Sequence, residues 1–211
     1  MGIIVGGVFG KIRKSVGGVT FRNWKGINTA SQKVDAPANP RTASQVNNRT
    51  RFTNVTLWAS IVLIGICQPL LNRLAKGMSG YNLFVNWNAQ YFDENGPTDL
   101  SSIEISRGSV TAVDTLHVGT IPSNGSINIE WVDNTGDGNA LASDLLYGML
   151  YNATKDVLVA FDVNSLREDT GVSITIPVDW ITGDIIHAYG AFRRADGLSS
   201  SDTSYVTEAA G

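Results

Sequence analysis

Residues that usually carry chemistry are scarce in this 211-residue chain, which has one cysteine and two histidines. A single cysteine excludes an internal disulfide. Cys67 ends the apolar run Trp58-Ala-Ser-Ile-Val-Leu-Ile-Gly-Ile-Cys67, where a buried thiol is expected rather than a reactive one. His117 and His187 each fall inside an expected strand, and no cysteine, second histidine or serine elbow is spaced to complete a zinc site or a triad. The glycines from Gly2 to Gly18 lack the Gly-Lys-Ser/Thr ending of a phosphate loop. The run Leu57–Cys67, closed by Gln68-Pro69, falls short of the roughly 20 residues that span a bilayer. The first residues put their bases after the apolar stretch, the reverse of a secretory signal. The expectation is a soluble protein with no catalytic residues and no required cofactor.

Acid is missing from one half of the chain. Residues 1–76 hold eleven of the sixteen Lys and Arg but only Asp35 as acid, while residues 77–211 hold five bases and eighteen acids. The net charge of −3 is therefore +10 in front (11 − 1) and −13 behind (5 − 18). A fold has no need of such polarity, but assembly can use it: opposite fields steer copies together head to tail, or dock the basic part on an acidic partner. The bases Arg41, Arg49, Arg51, Arg73 and Lys76, with Lys11, Arg13, Lys14, Arg22, Lys25 and Lys33, also raise a phosphate-binding face, on which Phe21 and Trp24 would stack bases. No recognition motif accompanies them, so nucleic acid is not the expected partner.

With 43% hydrophobic and 17% charged residues, the chain has apolar material for two modest cores. Six glycines in Met1 to Gly18 suit an arm that orders against a neighbour. Val19, Phe21 and Asn23 alternate with Thr20, Arg22 and Trp24, which predicts a hairpin turning at Lys25-Gly26. Asn39-Pro40-Arg41-Thr42 reads as a helix start, and a long helix is expected to about Ile66. After Leu57 it is apolar on every side, so enclosure is expected; the β-branched Ile61, Val62 and Ile64 fit a buried strand as well. A further helix is expected over Tyr81 to Phe92, and Asn95-Gly96-Pro97 sets the expected boundary between a basic assembly domain, 1–98, and an acidic domain, 99–211.

From Leu100 the period becomes two. Short strands are marked by Ile103/Ile105, Val110/Ala112, Leu116/Val118, Ile127/Ile129/Trp131, Tyr147/Met149/Tyr151, Val157/Val159/Phe161, Val172/Ile174/Ile176 and Ile186/Ala188/Phe192. The expected fold class is α+β: arm, hairpin and long buried helix, then an antiparallel β-sandwich of immunoglobulin type. Trp131 and Trp180 fall where sandwich cores place their large aromatics, which favours packing over sugar stacking.

One loop has the shape of a metal site. Asp133, Thr135, Asp137, Asn139 and Asp144 stand at positions one, three, five, seven and twelve of a run with Gly138 at six, close to the pattern that wraps calcium. Position twelve is Asp rather than Glu and the flanks read as strands, so a strand-joining loop of Asp, Asn and Gly stands beside the calcium reading.

The chain resembles a family of uncharacterised proteins of about this length from Bacteroidota bacteria and their tailed phages, including crAss-like phages. The resemblance rests on Gly10-Lys11 through Gly17-Gly18, Arg22-Asn-Trp24-Lys25-Gly26, Asn39-Pro40-Arg41-Thr42 with Gln45, Arg49 and Phe52, and Tyr81-Asn82-Leu-Phe84 with Asn86. It continues with Ile129-Glu-Trp131, Asp144, Pro177 to Trp180 and His187-Ala-Tyr189. The resemblance implies a structural protein of a virion, capsid auxiliary or neck or tail component, with itself and other virion proteins as partners. Arm, apolar helix and charge polarity suit a subunit completed by its neighbours, and the expected contact residues are Phe9, Arg22, Trp24, Arg49, Arg51, Trp58 and Ile61. The competing expectation is a surface-binding module whose sandwich holds a glycan or a cell-surface protein.

Overall fold

Four short strands, β1 (Gly2–Ile4), β2 (Lys14–Val16), β3 (Val19–Trp24) and β4 (Ile27–Gln32), form one antiparallel sheet in the order β1-β4-β3-β2. The computed structural model describes residues 2–4, 14–34, 36, 39, 41–121, 125–161 and 164–210, and the chain divides into two compact units, Met1–Thr42 and Ala43–Gly211. The expected hairpin forms at Lys25-Gly26. Both residues take positive φ, 48° and 85°, as a two-residue turn matched to the twist of its strands requires. The expected arm is corrected in two places: Gly2–Ile4 pairs with Asn28–Ala30 and Lys14–Val16 pairs with Val19–Phe21, so both segments add strands to the hairpin of their own chain.

The second unit opens with α1 (Ala43–Ile61). The helix expected to run straight to Ile66 instead turns through 87° at Val62 and continues as a π-helical segment, Leu63–Leu71. The hydrogen-bond register changes there: the carbonyl of Val62 accepts from both Ile66 N (2.9 Å) and Cys67 N (3.0 Å). Gly65 packs closely on the chain at Ala160, where a Cβ added to the glycine would stand 3.3 Å from the Cβ of Ala160. Among the described residues no single helix is long and apolar enough to cross a membrane.

The expected full enclosure of the apolar run is also corrected. Val55, Trp58, Ala59, Val62, Ile66 and Cys67 are buried, but Leu57, Ile61 and Ile64 remain 58%, 45% and 72% exposed. The Cys67 Sγ donates to the Ala59 carbonyl at 3.8 Å, and burial pushes its pKa up to about 12. An aromatic disulfide reagent is expected to leave the native chain unmodified and to titrate one thiol per chain in denaturant; fast native modification would contradict the burial.

After α2 (Gly80–Asn88), capped by Ser79 Oγ accepting from Asn82 N at 3.3 Å, a 3-10 turn leads into the hairpin β5 (Phe92–Asp93) and β6 (Gly96–Pro97). The strands expected at Ile103–Ile105 and Val110–Ala112 do not form, apart from a lone bridge from Val110 to Ser201. Side chains satisfy part of that backbone instead of a neighbouring strand. Asn88 accepts from Glu104 N and donates to Glu104 O, and Thr203 Oγ1 accepts from the N–H groups of Ile105 and Ser106.

The remaining strands are β7 (Asp114–Val118), β8 (Ser126–Val132), β9 (Leu145–Asn152), β10 (Val157–Phe161), β11 (Gly171–Thr175), β12 (Ile185–Arg193) and β13 (Ser204–Ala209). They make two antiparallel sheets, β11-β8-β7 and β10-β9-β12-β13, so the fold class is α+β with strands predominating. One core lies between the sheets and takes Ile127, Ile129 and Trp131 from one side and Leu146, Leu150, Ile186 and Phe192 from the other. The second core lies on the opposite face of β9 and β12, where Tyr147, Met149, Tyr151, Tyr189 and Ala191 meet Trp58, Ile66, Leu70 and Phe84. The two central strands are thus buried on both faces. The boundary expected at 98/99 is corrected for this reason: helices and sheet share a core, and the division falls at Thr42/Ala43.

Candidate assembly surfaces

No described residue of the first unit is buried, and Val19 and Ile27 stand 38% and 41% exposed. The register places Val19, Phe21 and Asn23 on one face with Gln32, Ala30 and Asn28, and Arg22 on the other with Thr20 and Thr29. By sequence the first unit carries seven bases against one acid, a net of +6 (7 − 1), while the second unit carries nine bases against eighteen acids, a net of −9 (9 − 18).

On the second unit the outward side of α1 carries exposed apolar residues. At 100° per residue, Val46, Thr50, Thr53, Leu57 and Ile61 form a stripe opposite the buried Val55, Trp58 and Ala59. Its hydroxyls are turned back on the helix: Thr50 Oγ1 donates to Val46 O at 3.2 Å and Thr53 Oγ1 to Arg49 O at 3.0 Å. Ser60 beside it does the same to Thr56 O at 2.9 Å. The stripe therefore presents methyl groups and no charge, with exposed Arg49 on one flank and no acid on the helix.

The expected contact residues separate on these surfaces. Arg22, Arg49, Arg51 and Ile61 are exposed. Phe9 and the side chain of Trp24 lie outside what the structure describes. Trp58 is a correction: it is 6% exposed and held edge-on against Phe92 (5.3 Å between centroids) and tilted against Tyr151 (4.8 Å), a core residue that joins helix to sheet.

The calcium reading is corrected by the geometry of Asp144, which is fully buried between two arginines. Arg167 Nη2 lies 3.1 Å from Oδ2 and Arg194 Nη1 lies 2.9 Å from Oδ1, while Leu141 N donates to Oδ2 at 3.0 Å. Both carboxylate oxygens are therefore committed. Two more of the expected ligands accept backbone bonds: Asn139 Oδ1 from Thr111 N at 2.8 Å, and Asp133 Oδ1 from Thr135 N at 2.9 Å. Among the described residues, no three of His, Cys, Asp and Glu gather around a common point that would hold an ion.

Arg167 is the residue that sequence reasoning missed, since Arg167-Glu168-Asp169 reads as a plain turn. It is fully buried, stacks 3.8 Å over the Phe192 ring, donates to Thr111 O at 2.8 Å and also bonds Asn134 Oδ1. Burial lowers its pKa from the usual value and Asp144 opposes that shift.

The histidines are far from forming a site. His117 Nδ1 meets Glu208 Oε2 at 2.6 Å on the surface, and His187 Nδ1 lies 2.8 Å from the Tyr205 hydroxyl, with its pKa lowered by burial. Trp131 and Trp180 are 4% and 3% exposed, so neither offers a ring face to a sugar.

Residues 11–207 match the family of unknown function DUF6266. The chain belongs to that family. A comparison with curated proteins finds no match. What DUF6266 membership covers is most of the first unit and nearly all of the second, through to β13.

Proposed function

We propose that this chain is a non-enzymatic structural protein of a phage virion, a capsid auxiliary or a neck or tail component, that works by assembling with copies of itself and with other virion proteins. The observation that carries the reading is the uncovered sheet of the first unit. Four short strands with no buried side chain among those described lack a core of their own, and sheets of this size are stable when a face is packed against something. The +6 charge of the first unit and the −9 charge of the second unit supply a reason for one copy to seek another. The strand orders β11-β8-β7 and β10-β9-β12-β13 support an immunoglobulin-like sandwich, a fold that spaces and binds. The place in a virion rests on the family resemblance of the sequence.

Light scattering at low and high salt tests the reading. The expected result is a mass several times the 22.6 kDa of one chain at low salt, falling as salt screens the opposed charges. A 22.6 kDa species at both salts would remove self-assembly as the basis of function.

A further inference from the structure

Where the π-helical segment ends, its last turn and two sandwich loops enclose a cleft of about 140 Å³. Arg73, Arg107 and Arg193 line it together with Ser109, Ser199 and Leu198, and no acid is among the lining residues. This concentration runs against composition, because residues 77–211 contain only five bases among eighteen acids and two of those five line the cleft.

Each nearby acid has a partner of its own, two of them the backbone of lining residues. Glu104 pairs with Arg107, whose guanidinium lies 4.4 Å over the Trp87 ring. Asp202 Oδ1 accepts from Gly108 N at 2.9 Å, and Asp196 Oδ1 accepts from Leu198 N at 2.7 Å. Among the described residues, Arg73 and Arg193 have no carboxylate within ion-pair distance. The Arg193 guanidinium lies against Gly197, whose φ of +71° calls for glycine, and a Cβ there would stand 2.3 Å from Nη2.

We infer that the Arg73–Arg193 cleft is a carboxylate-binding site, filled in the assembly by an acidic side chain of a second copy of this chain. The volume holds roughly four waters' worth of space, which suits one carboxylate-bearing side chain and not a nucleotide. Two guanidiniums converging on a carboxylate give strong, directional hydrogen bonds. The second copy is favoured as donor because the second unit carries eighteen acids. The choice of occupant rests on the self-assembly proposed above.

Two readouts separate the cleft from that reading. Glutarate, a small dicarboxylate, is titrated against the full chain by calorimetry, and association is measured by sedimentation for the wild type, for Arg73→Glu/Arg193→Glu, and for a control of equal charge change, Lys76→Glu/Lys155→Glu. Far-UV circular dichroism confirms that each variant is folded. The expected result is glutarate binding by the wild type and the control, lost in the arginine variant, with association weakened at least about tenfold in the arginine variant alone. Absence of glutarate binding to the wild type overturns the site. Glutarate binding with equal association of both variants overturns the second copy as occupant. A wild-type chain that binds glutarate but never associates overturns the self-assembly reading and this occupant, while the carboxylate site stands.

Discussion

Asp144→Ala is expected to remove about 3–5 kcal/mol of folding stability, a large share of the roughly 5–15 kcal/mol that holds a domain folded. The substitution leaves two guanidiniums facing each other. Arg167, with no exposed surface, then has a buried charge without a counterion, and its Nε already lacks a hydrogen-bond partner. Arg194→Gln is expected to cost only about 1 kcal/mol, because that side chain is 17% exposed and Asp144 keeps both Arg167 and the Leu141 N–H. Urea unfolding of the three chains measures the difference, and equal losses for the two substitutions would refute the central role given to Asp144. The same experiment bears on the loop as a metal site. With both oxygens of Asp144 held by arginine and backbone, calcium or a chelator is expected to leave the wild-type midpoint unchanged.

How much of this was legible depended on how local the deciding interaction is. Lys25-Gly26 announces its turn within two residues, and the alternation in Ile127, Ile129 and Trp131 announces a strand with one buried face. The second core left a weaker mark, because Tyr147, Met149 and Tyr151 occupy the face opposite Leu146 and Leu150, and an apolar residue on both faces of a strand signals cover on both sides. The chain break at Asn95-Gly96-Pro97 suggests a boundary between helices and sheet, whereas the two share a core. The 87° bend at Val62 goes with a change of hydrogen-bond register and with Gly65 meeting Ala160, almost a hundred residues away, so nothing near Ile61 foretells it. Arg167 and Asp144 are 23 residues apart, and each alone looks like an ordinary turn residue. The calcium pattern was present in spacing and absent in space for the same reason: the sequence shows which oxygens exist, while distant arginines decide where they point.

Trp58→Ala is expected to cost about 3–5 kcal/mol, whereas Leu57→Ala, one residue away, is expected to fall within about 0.5 kcal/mol. Trp58 is 6% exposed and Leu57 is 58% exposed: about 100° apart around α1, the first faces the core and the second faces outward. Truncating Trp58 opens a cavity between Phe92 and Tyr151 and cuts a line of rings that continues from Tyr151 to His187 and Tyr205. Helix and sheet are joined through that line, so the loss is expected as a lower unfolding midpoint at any protein concentration. Leu57 belongs to the uncharged outer stripe, and Leu57→Asp is expected to reduce association with the midpoint of the single chain nearly unchanged. If Trp58→Ala instead weakened association while leaving the unfolding midpoint in place, Trp58 would be a contact residue after all and the helix would be seated differently on the sheet. If both positions changed stability equally, the stripe would be covered within the chain and would not be an assembly surface.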